Sequence, residues 1–306
     1  MKLNDPREFG HVGLLLGGES AERDVSLDGG AAIGRSFDRS AIAYSVFDGA
    51  DGLFDAIRDG GIDRVFNLMH GPGGEDGAIQ GALQLMKVPV TGTGVLGSAL
   101  TMDKVRSKWI MQRLGLPTAD FEILDVDDDV PEIGAQFGFP VFVKPSGLGS
   151  SIGVSKVKHS DKLEQAVELA RQYSPQVLIE PAIEGGEYFA AVLGRTVLPL
   201  IRIETPREFY DYQAKYHSDQ TTYHCPSGLD AETENRLQAV SLQVFDALHA
   251  SGWGRVDFIL DSHGNPCFLE VNTAPGMTDH SLVPQAADQA GVGFDELVWR
   301  ILETSL

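Results

Sequence analysis

Short apolar runs alternate with longer mixed stretches over the first third of the chain. The apolar runs are typical of buried strands, and the mixed stretches are typical of helices that pack on one side. Strands are predicted at 11–18, 44–49, 64–70 and 88–92, and a helix at 78–87. A further helix follows the first strand, with Ser20 as its predicted cap. This alternation predicts an α/β domain built on a parallel sheet.

The pattern changes near residue 97, where one long helix is predicted over 97–114. Later strands are joined by tight loops more often than by helices. Strands are predicted at 121–124, 140–146, 152–158 and 177–180, a helix capped by Ser160, a helix at about 230–249, a hairpin at 253–272 and two short closing helices. The predicted domains are an N-terminal α/β domain (1–97), a central domain (98–187) and a C-terminal domain (188–306).

The final hairpin is a candidate metal site. If Asp261 pairs with Pro266 across the turn, the alternation of a strand places four polar side chains on one face. These four are Arg255, Asp257, Glu270 and Asn272. Two carboxylates and an amide oxygen suit Mg²⁺, because it prefers hard oxygen ligands. The alternative is a solvated strand face with an incidental ion pair.

Two glycine-rich loops are candidate ligand loops. The segment KPSGLGSSIGV joins two predicted strands, and Lys144 lies on the strand that enters it. It has no GK[ST] ending and no following helix, which excludes a P-loop and a dinucleotide-binding fingerprint. The second loop, HGPGGEDG, contains His70 and Glu75, for which capping or solvent exposure is the alternative to catalysis.

The composition narrows the functional classes. The 306 residues carry a net charge of −20 without a basic cluster, which argues against a nucleic-acid-binding surface. Cys225 and Cys267 are far apart and predict structural thiols rather than a disulfide or a metal site. No apolar run has the length of a membrane span or the form of a signal peptide, so the cytoplasm is the expected location.

Several segments, in this order, resemble the D-alanine–D-alanine ligase family of the ATP-grasp superfamily. They are LLLGGESAERDVSL, HGPGGEDGAIQG, TGTG, MDK, VKPS with GSSIGVSKV, VLIE, YDYQAKY, CPSGL, GWGRVDF and LEVNTAPGMTDHSLVP. The resemblance covers nearly the whole chain. It implies a three-domain enzyme that uses ATP to join two D-alanine molecules through an acyl phosphate, for bacterial peptidoglycan precursors. It also implies two Mg²⁺ or Mn²⁺ ions, activation by K⁺ and a homodimer.

The resemblance also implies site residues. ATP contacts are implied for Lys104, Lys144, Ser150, Ser151, Glu180, Ile183, Glu187 and Lys215, and metal contacts for Asp257, Glu270 and Asn272. Catalytic or substrate contacts are implied for Glu22, His70, Ser150, Tyr216, Arg255, Gly276, Ser281 and Leu282. Glu22 is expected to anchor the first amine, and Arg255 with Gly276 to hold the oxyanion. The predicted hairpin register adds a pair of Ile259 and Phe268 as an apolar floor for the adenine base.

The stretch 209–226 is expected to cover the site. It is polar and irregular, yet contains four tyrosines and Phe209. Within it, Tyr216 is expected to reach Ser150, close to Glu22. The sequence departs from a related subgroup at Gly147, Leu148 and Ala182, which affects ATP packing.

Three alternatives stay open at this stage. The first is a ligase with another acceptor, such as D-lactate, although Lys215 and Tyr216 resemble the dipeptide-forming type. The second is a regulatory protein that binds ATP without catalysis, which loss of the metal ligands would support. The third is an interaction domain that binds no nucleotide.

Overall fold

The computed structural model describes residues 3–125, 128, 130–149, 151–206, 209, 220–278 and 280–306. These residues form three sheets with helices around them, which confirms the α/β class. In the described part of the chain, no helix is long and apolar enough to cross a membrane.

The N-terminal part contains a parallel sheet of order β2-β1-β3, as the sequence predicts. Its strands are β1 (Val12–Leu16), β2 (Tyr44–Asp48) and β3 (Arg64–Asn67), with helices α1 (Arg23–Arg39), α2 (Asp51–Arg58) and α3 (Ala78–Leu85) and a 3-10 turn at Pro6–Phe9. The predicted strand at 88–92 is reduced to one parallel bridge between Val65 and Val90.

The predicted cap of α1 is wrong. Ser20 lies in a turn before the helix, where its hydroxyl accepts from the Glu22 N–H at 3.2 Å and its carbonyl accepts from the Arg23 N–H at 3.1 Å. The helix therefore starts at Arg23, and Glu22 takes the N-cap position. The Glu22 side chain is buried there rather than exposed in a first turn.

The predicted helix over 97–114 is two helices, α4 (Val95–Met102) and α5 (Lys104–Arg113). Asp103 breaks the run because its backbone is extended and its carboxylate accepts from the Arg106 N–H at 3.0 Å. Lys104 thus becomes the first residue of α5, and its N–H donates to the Ser146 carbonyl at 2.9 Å. This bond fixes the start of α5 beside the glycine-serine loop.

The second sheet is antiparallel with order β4-β7-β5-β6. Its elements are β4 (Glu122–Leu124), α6 (Val130–Phe137), β5 (Val141–Pro145), β6 (Ser155–Val157), α7 (Leu163–Arg171) and β7 (Val177–Pro181). Strands β5 and β6 confirm the predicted hairpin around the glycine-serine loop. Ser160 does not cap α7, because a 3-10 turn at Ser160–Lys162 comes before that helix.

The third sheet has order β11-β10-β8-β12-β13, with β9 paired to β8. Its elements are β8 (Gly185–Leu193), β9 (Thr196–Val197), β10 (Ile201–Glu204), β11 (Thr222–His224), α8 (Ala231–Ala247), β12 (Trp253–Asp261), β13 (Pro266–Asn272), α9 (Leu282–Gln289) and α10 (Phe294–Glu303). The last hairpin and the two closing helices are confirmed.

The third sheet has an apolar core on each side. One core joins its β8 and β12 to β1, α1 and the closing helices, with Phe66 and Trp253 at 6.4 Å between ring centroids. The other core joins Val256, Phe258 and Phe268 to α8 and α5. This double packing fixes the β12–β13 hairpin between the N-terminal part on one side and helices α5 and α8 on the other. The two domain boundaries, near residues 97 and 187, stay a prediction.

Gly97 lies in α4 at a position with no room for a methyl group. A Cβ atom built there would be 2.2 Å from the His249 carbonyl oxygen and 2.5 Å from Cγ2 of Thr93. We expect Gly97→Ala to lower the free energy of unfolding by about 1–3 kcal/mol in urea titrations, because the core must shift. Gly81→Ala in α3 is the matched control, since its Cβ would be 3.8 Å from Val95. For Gly81→Ala, helix propensity predicts an unchanged free energy of unfolding or a gain of up to about 1 kcal/mol. Equal losses of stability in Gly97→Ala and Gly81→Ala would contradict the packing argument.

Candidate active site

The β12–β13 hairpin follows the predicted register only near its polar end. Arg255 pairs with Asn272 and Asp257 with Glu270, as predicted. The register then shifts by one residue between Asp257 and Phe258. The predicted Asp261–Pro266 pair is therefore wrong, because Pro266 pairs with Leu260.

The bulge behind this shift is Leu269, an extra residue on β13. An extra residue reverses which face the preceding side chains occupy. Phe268 therefore pairs with Phe258 in the apolar core and is fully buried, so its predicted place beside Ile259 on the polar face is wrong. Ile259 pairs with Cys267 instead, and Leu269 joins Ile259 in lining a cavity.

The polar face of the hairpin holds a dense set of charged contacts. Arg255 donates to both oxygens of Asp257, at 2.7 and 2.8 Å, and the Asn272 amide donates to Asp257 at 3.0 Å. Glu270 lies 3.0 Å from the Lys104 ammonium, which also donates to the Leu148 carbonyl at 2.6 Å. The carboxylates on this face are thus satisfied by protein groups.

A cavity of about 820 Å³, including space open to solvent, lies between the second and third sheets. It is lined by Lys104, Ala119, Phe142, Lys144, Leu148, Ser151, Val154, Glu180, Pro181, Ile183, Glu187, Phe209, Asp257, Ile259, Leu269 and Glu270. The lining combines lysines and carboxylates with apolar side chains that form much of the wall. This combination suits a ligand with an apolar ring and an anionic tail.

A buried ion triplet lies against this cavity. Glu180 accepts from Lys144 on the cavity side and lies 2.8 Å from the Lys108 ammonium on the protein side. Burial raises the pKa of Glu180, but the two ammonium groups outweigh it and lower that pKa to about 2. Burial lowers the pKa of Lys144, and Glu180 reverses this and raises it. Glu180 and Lys144 are therefore both charged at neutral pH.

A smaller, more polar cavity of about 350 Å³ adjoins the first. Its lining comprises Glu22, Glu75, Thr101, Met102, Lys104, Gly149, Glu270, Val271, Asn272 and Thr273. Lys104 and Glu270 line both cavities. A Cβ atom on Gly149 would lie 3.2 Å from the Glu22 carboxylate, and a Cβ atom on Gly71 would lie 3.3 Å from it. Both glycine-rich loops therefore approach that carboxylate closely.

Glu75 ties two loops together beside the small cavity. Its carboxylate accepts from the Gly71 N–H at 2.8 Å and from the Ala274 N–H at 3.2 Å. Removal from water, and then the nearby Glu22 carboxylate, raise the pKa of Glu75 to about 8. Ala274 belongs to the loop that carries Gly276, so Glu75 sets the position of that loop relative to the HGPGGEDG loop.

The raised pKa of Glu75 predicts a specific pH dependence of stability. The folded-state pKa of about 8 exceeds the ordinary value of 4.5. The contribution of protonated Glu75 to the free energy of unfolding is therefore complete below pH 4.5. It is lost as the pH rises to about 8, and the free energy of unfolding falls by at most about 1.4 kcal/mol per pH unit. We expect the urea-measured free energy of unfolding of Glu75→Gln to improve relative to the unmodified protein over this range. Exposed Glu19→Gln is the control, and parallel pH curves for Glu75→Gln and the unmodified protein would refute the assignment.

His70 follows β3 and is buried against the same loops. Its Nδ1 lies 2.7 Å from the Leu68 carbonyl, and its Nε2 has no hydrogen-bond partner among the described residues. Burial lowers the pKa of His70 more than the nearby Glu22 raises it. A neutral imidazole is therefore present here, with its Nδ1–H directed to Leu68.

The loop after β13 brings the remaining predicted residues to α1. A Cβ atom on Gly276 would be 3.6 Å from Val25 in α1 and 3.0 Å from the Ser281 hydroxyl. Ser281 takes the N-cap position of α9, and its hydroxyl accepts from the Thr278 N–H at 2.9 Å. Leu282 is buried in the adjoining core. Gly276 therefore lies against the first turn of α1, and the roles expected for Gly276, Ser281 and Leu282 stay predictions.

Comparison with known families agrees with this geometry. The family model described as "D-ala D-ala ligase C-terminus" matches residues 110–303, and "D-ala D-ala ligase N-terminus" matches residues 50–93. The chain belongs to the D-alanine–D-alanine ligase family. The first match alone spans the final hairpin and every residue that lines the large cavity except Lys104.

Individual relatives of the ligase family match along nearly the full length. A D-alanine–D-alanine ligase from Nitrosococcus oceani is 49% identical over 99% of this chain and 96% of its own. The crystal structure of a D-alanine–D-alanine ligase from Bacillus anthracis complexed with ATP is 34% identical, with TM-score 0.82 over 96% of each chain. A VanG D-Ala:D-Ser ligase structure from Enterococcus faecalis is 28% identical, with TM-score 0.83 over 97% of this chain and 99% of that chain.

Three of the residues implied by the resemblance to the ligase family, Ser150, Lys215 and Tyr216, lie outside the described residues. The proposed contact of Tyr216 with Ser150 therefore stays a prediction. Phe209, the first residue of the expected cover, lines the large cavity and packs edge-on against Phe142 at 5.3 Å.

Two residues that sequence reasoning missed or discounted lie at the ligase site. Lys108 is four residues after Lys104, so both side chains lie on the same side of α5. This spacing indicates from the sequence that Lys108 lies near Lys104. Glu75 stands in a recognised loop, but its contact with Ala274 spans 199 residues of sequence. No local pattern reveals a contact of that kind.

Proposed function

We propose that this chain joins two D-alanine molecules into a dipeptide, with ATP converted to ADP and phosphate. The observation that carries this is the pair of adjoining cavities that share Lys104 and Glu270. A nucleotide in the large cavity would direct its terminal phosphate toward the small one. An amino acid there would present its carboxylate at the same junction.

In the first step, the carboxylate oxygen of the first D-alanine attacks the γ-phosphorus of ATP, and ADP leaves. Glu22, buried at the start of α1, holds the ammonium group of this substrate. Lys104 and Lys144 neutralise charge on the transferring phosphate, which is where positioning and electrostatics supply most of the rate. The product is an acyl phosphate, whose carbon has a good leaving group.

In the second step, the amine of the second D-alanine attacks the acyl carbon, phosphate leaves and the nitrogen loses a proton. The developing oxyanion lies within reach of Arg255 and the Gly276 N–H. Arg255 is oriented for this by its two bonds to Asp257. Water would destroy the intermediate, so a cover over the site is expected. The stretch 209–226 is expected to supply it, and residues 210–219 of that stretch lie outside the described residues.

The polar face of the hairpin suits a divalent cation. The described residues contain no group of three His, Cys, Asp or Glu side chains placed for a metal, so an amide must complete the set. Asp257 and Glu270 face each other, with Asn272 bonded to Asp257. These three would hold Mg²⁺ or Mn²⁺, which when bound supplies positive charge at the phosphates.

The direct test is to measure dipeptide by mass spectrometry and phosphate by a coupled assay in the same reaction. We expect one phosphate per D-alanyl-D-alanine, and no phosphate release above background with L-alanine. Phosphate release without dipeptide would refute the ligase assignment. A regulatory ATP-binding protein would show nucleotide binding without turnover.

The acceptor is best tested in the same assay, because the fold also occurs in the Enterococcus faecalis D-Ala:D-Ser ligase. D-serine and D-lactate are therefore run against D-alanine as second substrates. We expect D-alanine to be preferred, and a preference for either competitor would overturn the acceptor. The homodimer, activation by K⁺, the role in peptidoglycan precursor synthesis and the cytoplasmic location stay predictions.

A further inference from the structure

Lys108 is a buried ammonium group behind the nucleotide cavity, with no part in the steps above. Its side chain is 2% exposed and lies 2.8 Å from Glu180. We propose that Lys108 is a positioning residue, the permanent counter-ion of Glu180, which releases Lys144 to bind the phosphates of ATP. This inference rests on the proposed function.

The contacts of Lys108 fix it in place. Its ammonium donates to the Thr118 hydroxyl at 2.8 Å, and that hydroxyl donates to the Phe268 carbonyl at 2.9 Å. The ammonium also lies 5.4 Å from the centroid of the Phe121 ring. Since α5, β13 and the start of β4 all hold this group, it cannot move toward the cavity.

Lys144 differs from Lys108 in the side from which it approaches Glu180. It lies on β5 and lines the large cavity, with its side chain 15% exposed. Its backbone pairs with Leu178 on β7, and its ammonium lies 5.2 Å from the centroid of the Phe142 ring. Lys144 is therefore the partner of Glu180 that can turn toward an entering phosphate.

The charge balance explains why two cations share one carboxylate. Glu180 is 3% exposed, and each of its oxygens contacts a different ammonium group. If Lys144 were its only cation, moving Lys144 to ATP would leave a buried carboxylate without compensation, which is strongly unfavourable. With Lys108 fixed at the second oxygen, the carboxylate stays paired while Lys144 changes partner.

The competing explanation is that Lys108 only ties α5 to β7. That role predicts that any substitution of Lys108 lowers thermal stability and changes the KM for ATP and the KM for D-alanine equally. The counter-ion role predicts a change in nucleotide binding that is not matched by the KM for D-alanine. It also predicts that the change disappears when Glu180 carries no charge.

The experiment is a double-mutant cycle read out by calorimetric binding of ADP with Mg²⁺ and by KM for ATP and for D-alanine. We expect Lys108→Met to weaken nucleotide binding roughly tenfold with the D-alanine KM within about twofold, and Lys108→Arg to recover most of this loss. In the Glu180→Gln background, Lys108→Met should change nucleotide affinity by less than about twofold. Equal losses in both backgrounds, or none in the single variant, would overturn the proposal.

A crystal structure of the unmodified protein with ADP and Mg²⁺ provides a second test if Lys108→Met does not fold. Lys144 should then contact a phosphate while Lys108 stays on Glu180. Lys144 still bound to Glu180 would overturn the proposal. Failure of the unmodified protein to form dipeptide counts instead against the proposed function, since nucleotide binding is measured separately.

Discussion

Replacing Glu270 by Gln is expected to reduce dipeptide formation at least about 100-fold while the protein stays folded. Glutamine keeps the size of the side chain and removes its charge. Glu270 faces Asp257 across the hairpin and, like Lys104, lines both cavities. Its loss would weaken the predicted cation site at the point where the phosphate is transferred.

The Glu270 measurement is kcat over a Mg²⁺ titration, with circular dichroism and thermal unfolding as checks on the fold. Glu122→Gln, an exposed carboxylate on β4, is the matched control and should retain full activity. Loss of the Lys104 partner is a possible confounder, because Glu270 lies 3.0 Å from that ammonium. Full activity of Glu270→Gln at saturating Mg²⁺ would remove Glu270 from the metal site.

The two polar pairs of the final hairpin, Arg255–Asn272 and Asp257–Glu270, were predicted from the sequence. That prediction assumed strict alternation from an Asp261–Pro266 pair. In the structure Pro266 pairs with Leu260, and the extra residue Leu269 on β13 restores the predicted pairs at the polar end. The glycine-serine hairpin and the two closing helices could be predicted because each depends on neighbouring residues.

The bulge at Leu269 could not be predicted by alternation, because a single extra residue changes the face without changing the hydrophobic pattern. Phe268 and Leu269 are both apolar, and either could occupy the core. Phe268 takes the core position because its ring packs against Phe258, with 5.2 Å between the ring centroids. The break between α4 and α5 does have a sequence signal, because Asp103 is a capping residue type in the middle of the predicted helix.

Contacts between distant segments were also beyond the sequence. Lys108 and Glu180 meet only because α5 packs beneath the second sheet, and Glu75 meets Ala274 only when two loops close on each other. Both contacts involve buried charge or raised pKa, so they matter for function. Their discovery required the fold.

Lys144→Met is expected to lower kcat/KM for ATP by about 100- to 1,000-fold, with a much smaller change in the KM for D-alanine. The chain carries a net charge of −20, so ATP depends on local cations to offset an unfavourable overall field. Among the described residues, Lys144 and Lys104 are the two lysines that line the large cavity. Methionine keeps the length of the side chain and removes only the charge and its donors.

The fold should survive this change because Glu180 keeps Lys108 as a partner at 2.8 Å. Lys156→Met is the matched control, because Lys156 lies on the neighbouring strand β6 and also packs on the Phe142 ring. Its ammonium lies 5.9 Å from the ring centroid, and that of Lys144 lies 5.2 Å from it. Lys156 lines a separate groove beside α7, so its loss should leave ATP kinetics within about twofold. Equal losses in both variants would attribute the effect to packing on Phe142, and unchanged ATP affinity in Lys144→Met would show that this ammonium does not bind phosphate.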